Sequence, residues 1–192
     1  AVYGKGVAWN GLTAVNETPS GAESTKLYAD DIKYLDIRSA EEFGATIEAY
    51  SSPEEFDACD GTAELADGVN IGQQNRKGFG FCYRSTIGND TEYNNYGYKL
   101  HIIYGLTASP SERSYSTVND SPEAATLSWE VSSTPVNVAG FKPTSIVTIN
   151  SKKIKPEALK EIEETLYGTA AEEPKILLPD EIKAICDKHI GG

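Results

Sequence analysis

The chain has 192 residues, 39% of them apolar, with 17 Lys+Arg against 29 Asp+Glu and a net charge of −12. That length suits one domain with appendages, and the apolar share is enough for a packed core. Nucleic acid is gripped mainly by neutralising its phosphates, so composition excludes a tight DNA or RNA binder and predicts repulsion instead.

Residues 1–24 are rich in Gly, Ser, Thr, Asn and Pro, with Trp9 and Leu12 as isolated apolar anchors. This composition predicts an arm that needs a partner surface, not an element of the core. The opening AVYGKGVAWNG lacks the basic and apolar regions of a signal peptide, and a chain with no Met that begins at Ala1 is expected to carry a processed cytosolic N terminus. Two strands follow, over 26–38 and 43–50. In the second, Phe43, Ala45, Ile47 and Ala49 alternate with Gly44, Thr46, Glu48 and Tyr50, giving one polar face. Residues 39–42 are short enough for a hairpin connection.

SSPEEFDACDG then carries a helix start and stop: Ser52 as cap, Pro53 at the first position, Glu54 and Glu55 at the positive end, Gly61 as terminator. Residues 60–77 have little periodicity and predict a long exposed loop. Strands resume with GFGFCYRS, where Phe79, Phe81 and Tyr83 share a face, and YKLHIIYGLTA, where Tyr98, Leu100, Ile102 and Tyr104 share one. Polar connections are expected at 89–97 and 109–122. Ala125, Leu127, Trp129 and Val131 alternate in another strand, and 145–150 supplies a further one.

The pattern changes at Pro156. Leu159, Ile162 and Leu166 form a helical stripe ended by Gly168, and Ile182, Ile185, Cys186, His189 and Ile190 form a second. Helices this short are marginal alone, so both stripes must dock. The domain plan is therefore an arm (1–24), a β-sandwich body (25–150) and a helical extension (151–192). No segment approaches the ~20 apolar residues of a membrane span. The odd, widely spaced Cys59, Cys82 and Cys186 suit reduced thiols.

Tyr28-Ala29-Asp30-Asp31 also occurs in the two-metal hairpin of reverse transcriptases, but that chemistry needs a third carboxylate, fingers and a basic groove. An acidic strand edge is the simpler account. His101 sits between Leu100 and Ile102, and His189 lies on an apolar stripe, so both are expected to be packed or interfacial. Cys186 and His189, three apart, lack the further ligand pair of a zinc site. Gly78-Phe79-Gly80 is no phosphate loop, and Asp57, Asp60 and Asp67 lack the calcium-loop rhythm. The sequence predicts no enzyme, no metal and no cofactor.

The order of the pieces is more informative than any one of them. TKLYADD, FGATIEAYSSPEEFDAC, GFGFCYRS, YKLHIIYGLTA, LSWEVSSTPV, SIVTINS and the tail PEALKEIEETLYG…ILLPDEIKAICD follow in sequence. Together they resemble the major tail tube proteins of long, non-contractile-tailed bacteriophages, over nearly the whole chain. The resemblance implies a mainly β fold, a β-sandwich or rolled barrel with a short packed helix and two short C-terminal helices. It implies six copies per ring and rings stacked around a tape-measure protein, with tail terminator and distal-tail proteins as further partners. It also implies a virion tail assembled in the bacterial host cytoplasm, and DNA passing through the lumen without sticking.

For the lumen, the polar sides of the first strands offer Asp30, Asp36, Thr46 and Glu48. For subunit and ring contacts, the candidates are Trp9 and Leu12 in the arm, Asp67, Asn70, Gln73 and Asn75 in one loop, and Ser111, Arg113 and Asp120 in another. Each has a competing structural role; Trp9 could equally cover its own core. Two other readings stay open: a surface β-sandwich adhesin, and the inner tube of a contractile tail or tail-like particle, which shares the fold but needs a sheath.

Overall fold

Period-two alternation builds the body of the protein. The computed structural model describes residues 3–113 and 125–190. Six strands come first: β1 (Leu12–Glu17), β2 (Ser20–Gly21), β3 (Ser24–Ala29), β4 (Ile32–Arg38), β5 (Glu41–Glu42) and β6 (Gly44–Ala49). A 3-10 turn (Glu54–Phe56) leads into α1 (Asp57–Asp60), then β7 (Ala63–Ala66), β8 (Val69–Ile71), β9 (Phe79–Asn89) and β10 (Tyr93–Ala108). The chain continues as β11 (Leu127–Ser133), β12 (Ile146–Asn150), α2 (Pro156–Tyr167) and α3 (Pro179–Ile190).

Backbone pairing runs β1–β6–β11–β10–β12, with β9 also on β10. The sheet rolls over on itself without closing as a barrel, so the fold is mainly β, a sandwich with three short helices. Ala45, Ile47, Ala49, Trp129 and Val131 from one layer meet Phe81, Ile103 and Leu106 from the other. On the far side of the second layer, Leu100, Ile102, Tyr104 and Ile149 pack on Leu159, Ile162 and Leu166 of α2 and Ile182 of α3. The order is therefore sheet, sheet, helices. Side chains such as Trp129, Ile47, Ile102 and Ile162 are fully buried, each worth about 1.5–3 kcal/mol in transfer from water.

β10 serves both cores with its two faces, Ile103 lying between the sheets, and its phase inverts part-way along. Leu100, Ile102 and Tyr104 face the helices; beyond Gly105, Leu106 and Ala108 lie in the core between the sheets. Gly105 has φ +59°, and a Cβ there would stand 2.2 Å from the Thr134 carbonyl oxygen. The β9–β10 register shifts between Ile103 and Leu106, as a bulge requires.

The helices are tied down by polar contacts as well as by their stripes. The Tyr98 hydroxyl donates to Glu163 at 2.6 Å, and the Arg84 guanidinium lies over the Tyr98 ring while bonding the same carboxylate. Burial, reinforced by Glu163, pushes the Tyr98 phenol up to about 12. Glu161 of α2 holds both Lys188 and His189 of α3, each at 2.8 Å. Glu181 accepts the Leu178 N–H at 2.7 Å, the return half of a capping box at the start of α3.

Several expectations need correction. Residues expected as a free arm supply β1, which pairs with β6 in the main sheet; its alternation is short but the partner edge was available. The strand expected over 26–38 is two strands, because Asp30 and Asp31 both take positive φ (51° and 62°) and reverse the chain. The loop expected at 60–77 contains the β7–β8 hairpin around Asp67-Gly68, a strong two-residue turn signal. The turn expected at 89–97 shrinks to a few residues, where Asn89 Oδ1 accepts the N–H groups of Thr91 and Glu92. The first helical turn starts at Glu54 with the extended Pro53 as its cap position and no side-chain cap bond, so Pro53 is not its first residue and Ser52 does not cap it. Among the described residues, no helix is long and apolar enough to cross a membrane.

Candidate functional site

With helices on one side of the second layer, the outer side of the β1–β6–β11 layer is the sheet face left uncovered by them. Register places Ala14, Asn16, Thr46, Glu48, Ser128 and Glu130 on it, since Ala14 and Ser128 pair with Glu48, and Asn16 and Glu130 pair with Thr46. The alternate positions Ala45, Ile47 and Ala49 point into the core. The exposed face is thus small and polar, and its charges, Glu48 and Glu130, have one sign. Asn16 donates to Glu48 at 3.5 Å. A hollow of about 260 Å³ opens beside Glu130, between Thr18, Ser20 and Glu42.

From that layer a β-ribbon projects. β1 and β6 continue through the Thr18–Gly44 backbone bond into the β2–β5 pair and then β3–β4, with Asp30-Asp31 at the tip. The twelve steps from Thr18 to Asp30 amount to at most roughly 40 Å of chain at a strand's rise per residue. The ribbon bends at Gly21, where φ is +84° and a Cβ would lie 2.2 Å from the Ala40 carbonyl oxygen. Its outer half is exposed throughout. One side carries Thr25, Leu27, Leu35 and Ile37, with Ile32 near the tip; the other carries Ser24, Lys26, Tyr28, Lys33, Asp36 and Arg38. Leu35 stays 46% exposed, Ile37 51% and Ile32 63%, so nothing in the described chain covers the apolar side. Lys33 bonds Asp36 at 2.5 Å and holds that carboxyl below its usual range.

The β7–β8 hairpin repeats the arrangement on a smaller scale. Ala63 pairs with Ile71 and Ala66 with Val69 on one face, while Glu64 pairs with Asn70 on the other. Leu65 is 67% exposed and Val69 50%.

The residues singled out from sequence distribute over these surfaces. Thr46 and Glu48 share the uncovered sheet face, whereas Asp30 and Asp36 belong to the projecting ribbon, so the four do not form one patch. Asp67 and Asn70 lie on the β7–β8 hairpin; Gln73 and Asn75 follow it and are exposed. Ser111 bonds the Ser109 carbonyl, and Arg113 pairs with Asp60, which also holds Arg76 at 3.3 Å. Asp120 lies outside the described residues. Leu12 is on the edge strand β1. Trp9 is a correction: its ring lies 4.6 Å from Phe56, 5.2 Å from Trp129 and 5.6 Å from Phe81, and its Nε1 donates to the Ser51 carbonyl at 2.6 Å. It closes its own subunit's core.

Sequence reading missed three things. Glu130 belongs on the same face as Glu48, opposite Thr46, which needed the β6–β11 register. The apolar side of the ribbon needed Asp30-Asp31 to be read as a turn. The third is a polar cluster closing one end of the sandwich. Tyr83 stacks on His101 (4.6 Å, 2° between planes), donates its hydroxyl to Glu17, and His101 Nε2 bonds Ser85 at 2.8 Å. Burial holds the His101 imidazolium below its ordinary pKa against the opposing pull of Glu17, which is 3.8 Å away. Burial and Glu17 together push the Tyr83 phenol up. This cluster ties β1 to β9 and β10 across the open seam of the roll.

No protein-family model, curated protein or solved structure matches this chain.

Proposed function

We propose that this chain is a self-assembling structural subunit that forms the stacked rings of a phage tail tube, the conduit for genome ejection. The observation that carries the reading is the uncovered face of the β1–β6–β11 layer, with Glu48 and Glu130 as its charges and small polar side chains between them. Turned inward and repeated around a ring, it presents DNA with like charge and no guanidinium or ammonium group to hold a phosphate. The helices then face outward, because α2 and α3 occupy the opposite side of the molecule. The edge strands β1 and β9 leave backbone groups for pairing with neighbours, and a closed ring removes such edges. The tape-measure, terminator and distal-tail proteins are the partners this reading entails, and the virion tail is its location.

The test is negative-stain microscopy of the concentrated full-length chain beside sedimentation over a concentration series. Hollow rings or tubes are expected. Tubes of the wild type should not retain short duplex DNA at low salt, whereas tubes of Glu48→Lys/Glu130→Lys should retain it, and added salt should release it. A strictly monomeric chain at every concentration would refute self-assembly. Tubes in which the double substitution leaves DNA retention unchanged would place another face at the lumen.

A further inference from the structure

We infer that Asn10-Gly11 is a self-modification site, at which the Asn10 side chain cyclises onto the Gly11 nitrogen with help from the Ser51 hydroxyl, whether or not the chain assembles. Water then opens the resulting succinimide to isoaspartate or aspartate. Asn10-Gly11 is the one Asn-Gly pair in the sequence. Glycine has no side chain to shield its own nitrogen, and both residues are exposed. Among the described residues, the Gly11 N–H has no acceptor and the Asn10 side-chain amide has no partner. The pair is held through its carbonyls alone: Gly11 accepts the Tyr50 N–H at 2.8 Å, and Asn10 accepts the Ser51 hydroxyl at 2.9 Å. The two groups that must react are the two left free.

Ser51 is placed to assist the slow step. The Asn10 carbonyl and the Gly11 N–H belong to one peptide unit, so removing the Gly11 proton puts negative charge on the Asn10 oxygen through amide resonance. The Ser51 hydroxyl already donates to that oxygen, and a donor aimed where charge develops favours the charged species over the neutral one. Gly11 leaves room for this donor: its φ is +83°, and a Cβ on it would stand 3.0 Å from Ser51 Oγ. Hydroxide takes the Gly11 proton, the nitrogen bonds to Asn10 Cγ, and the Cγ–Nδ2 bond breaks. Ammonia leaves with a proton from water, which returns the hydroxide. Water then adds to one succinimide carbonyl: opening on the side-chain carbonyl gives aspartate, and opening on the main-chain carbonyl gives isoaspartate. The sum is one water consumed and one ammonia released, with no change of oxidation state. Isoaspartate carries an extra methylene in the main chain. That methylene falls between Trp9, seated on Phe56 and Trp129, and β1, which is in register with β6, so it loosens the N-terminal segment.

The experiment incubates the dilute full-length chain at pH 8 and follows each asparagine by peptide mass mapping. Fragmentation separates isoaspartate from aspartate, and far-UV circular dichroism verifies that each variant folds. Asn10 should convert ahead of every other asparagine. In the folded chain Ser51→Ala should slow it about fivefold, the worth of one hydrogen bond, whereas Ser51→Thr keeps the hydroxyl and should keep the rate. In guanidinium chloride, where Ser51 no longer meets Asn10, all three chains should convert at one rate, slower than the folded wild type. The isolated isoaspartyl chain should unfold at a lower denaturant midpoint than wild type. Asn10→Asp adds the charge without the methylene and should leave that midpoint unchanged. Slower conversion of Asn10 in the folded wild type than in guanidinium chloride would overturn the site, and this comparison decides even if Ser51→Ala fails to fold. A folded Ser51→Ala chain that keeps pace with wild type would overturn the role of Ser51. An isoaspartyl chain with the wild-type midpoint would overturn the loosening.

Discussion

Replacing Trp9 by Ala tests whether the N-terminal segment belongs to the fold or waits for a partner. A tryptophan buries up to ~250 Å² when fully enclosed. Trp9 is mostly buried, so its truncation forfeits roughly two thirds of that area, worth about 4 kcal/mol at ~25 cal/mol per Å². Loss of the Nε1–Ser51 hydrogen bond adds about 1 kcal/mol. The tilted and edge-on contacts with Phe56, Phe81 and Trp129 disappear with the ring, so the expected loss is about 4–5 kcal/mol. Trp9→Phe keeps a ring in the cluster but no donor, and should lose only about 1–1.5 kcal/mol. Urea unfolding followed by circular dichroism, at a concentration where the chain is unassembled, reads both values. With a slope of ~2 kcal/mol per M, the Ala midpoint should fall by about 2–2.5 M with the slope unchanged. A loss below about 1 kcal/mol, the range of an ordinary surface change, would refute the argument and return Trp9 to the role of a free anchor.

Two further outcomes follow from the same geometry. Gly105→Ala forces a side chain into positive φ and against the Thr134 carbonyl, so it should cost at least about 2 kcal/mol, well beyond an ordinary glycine-to-alanine change; a neutral result in the same unfolding assay would mean the bulge relaxes freely. His101 gives a pH dependence whose sign is set by burial. Its folded pKa lies below the 6.5 of the free side chain, so the unfolded chain binds more protons just below pH 6.5 and stability falls as pH drops through that window. Stability measured from pH 7.5 to 5 should show this decline, and His101→Asn should flatten it; a rise on acidification would mean that the Glu17 carboxylate outweighs burial.

Much of the architecture could be read from residue order alone, for a local reason. Strand periodicity at Phe79–Phe81–Tyr83, at Leu100–Ile102–Tyr104 and at Leu127–Trp129–Val131, and the helical stripe Leu159–Ile162–Leu166, are properties of neighbouring residues. A sheet-and-helix chain must bury such faces wherever they dock. The acidic balance and the polar alternation at Thr46 and Glu48 were likewise visible, because charge and phase need no partner to be counted. Tertiary structure decided whatever depends on which strand lies beside which. Pairing of β1 with β6 drew the expected arm into the sheet, and the β6–β11 register set Glu130 opposite Thr46 on the face that carries Glu48. Positive φ at Asp30 and Asp31 turned one expected strand into a ribbon with an apolar side. A bulge at Gly105 inverted the phase of β10, so that Leu106 and Ala108 continue the inter-sheet core begun by Ile103. Apart from the local Asp30-Asp31 turn, these are non-local choices, made by backbone hydrogen bonds and close packing between segments far apart in the chain, and no short window of sequence contains both halves of them.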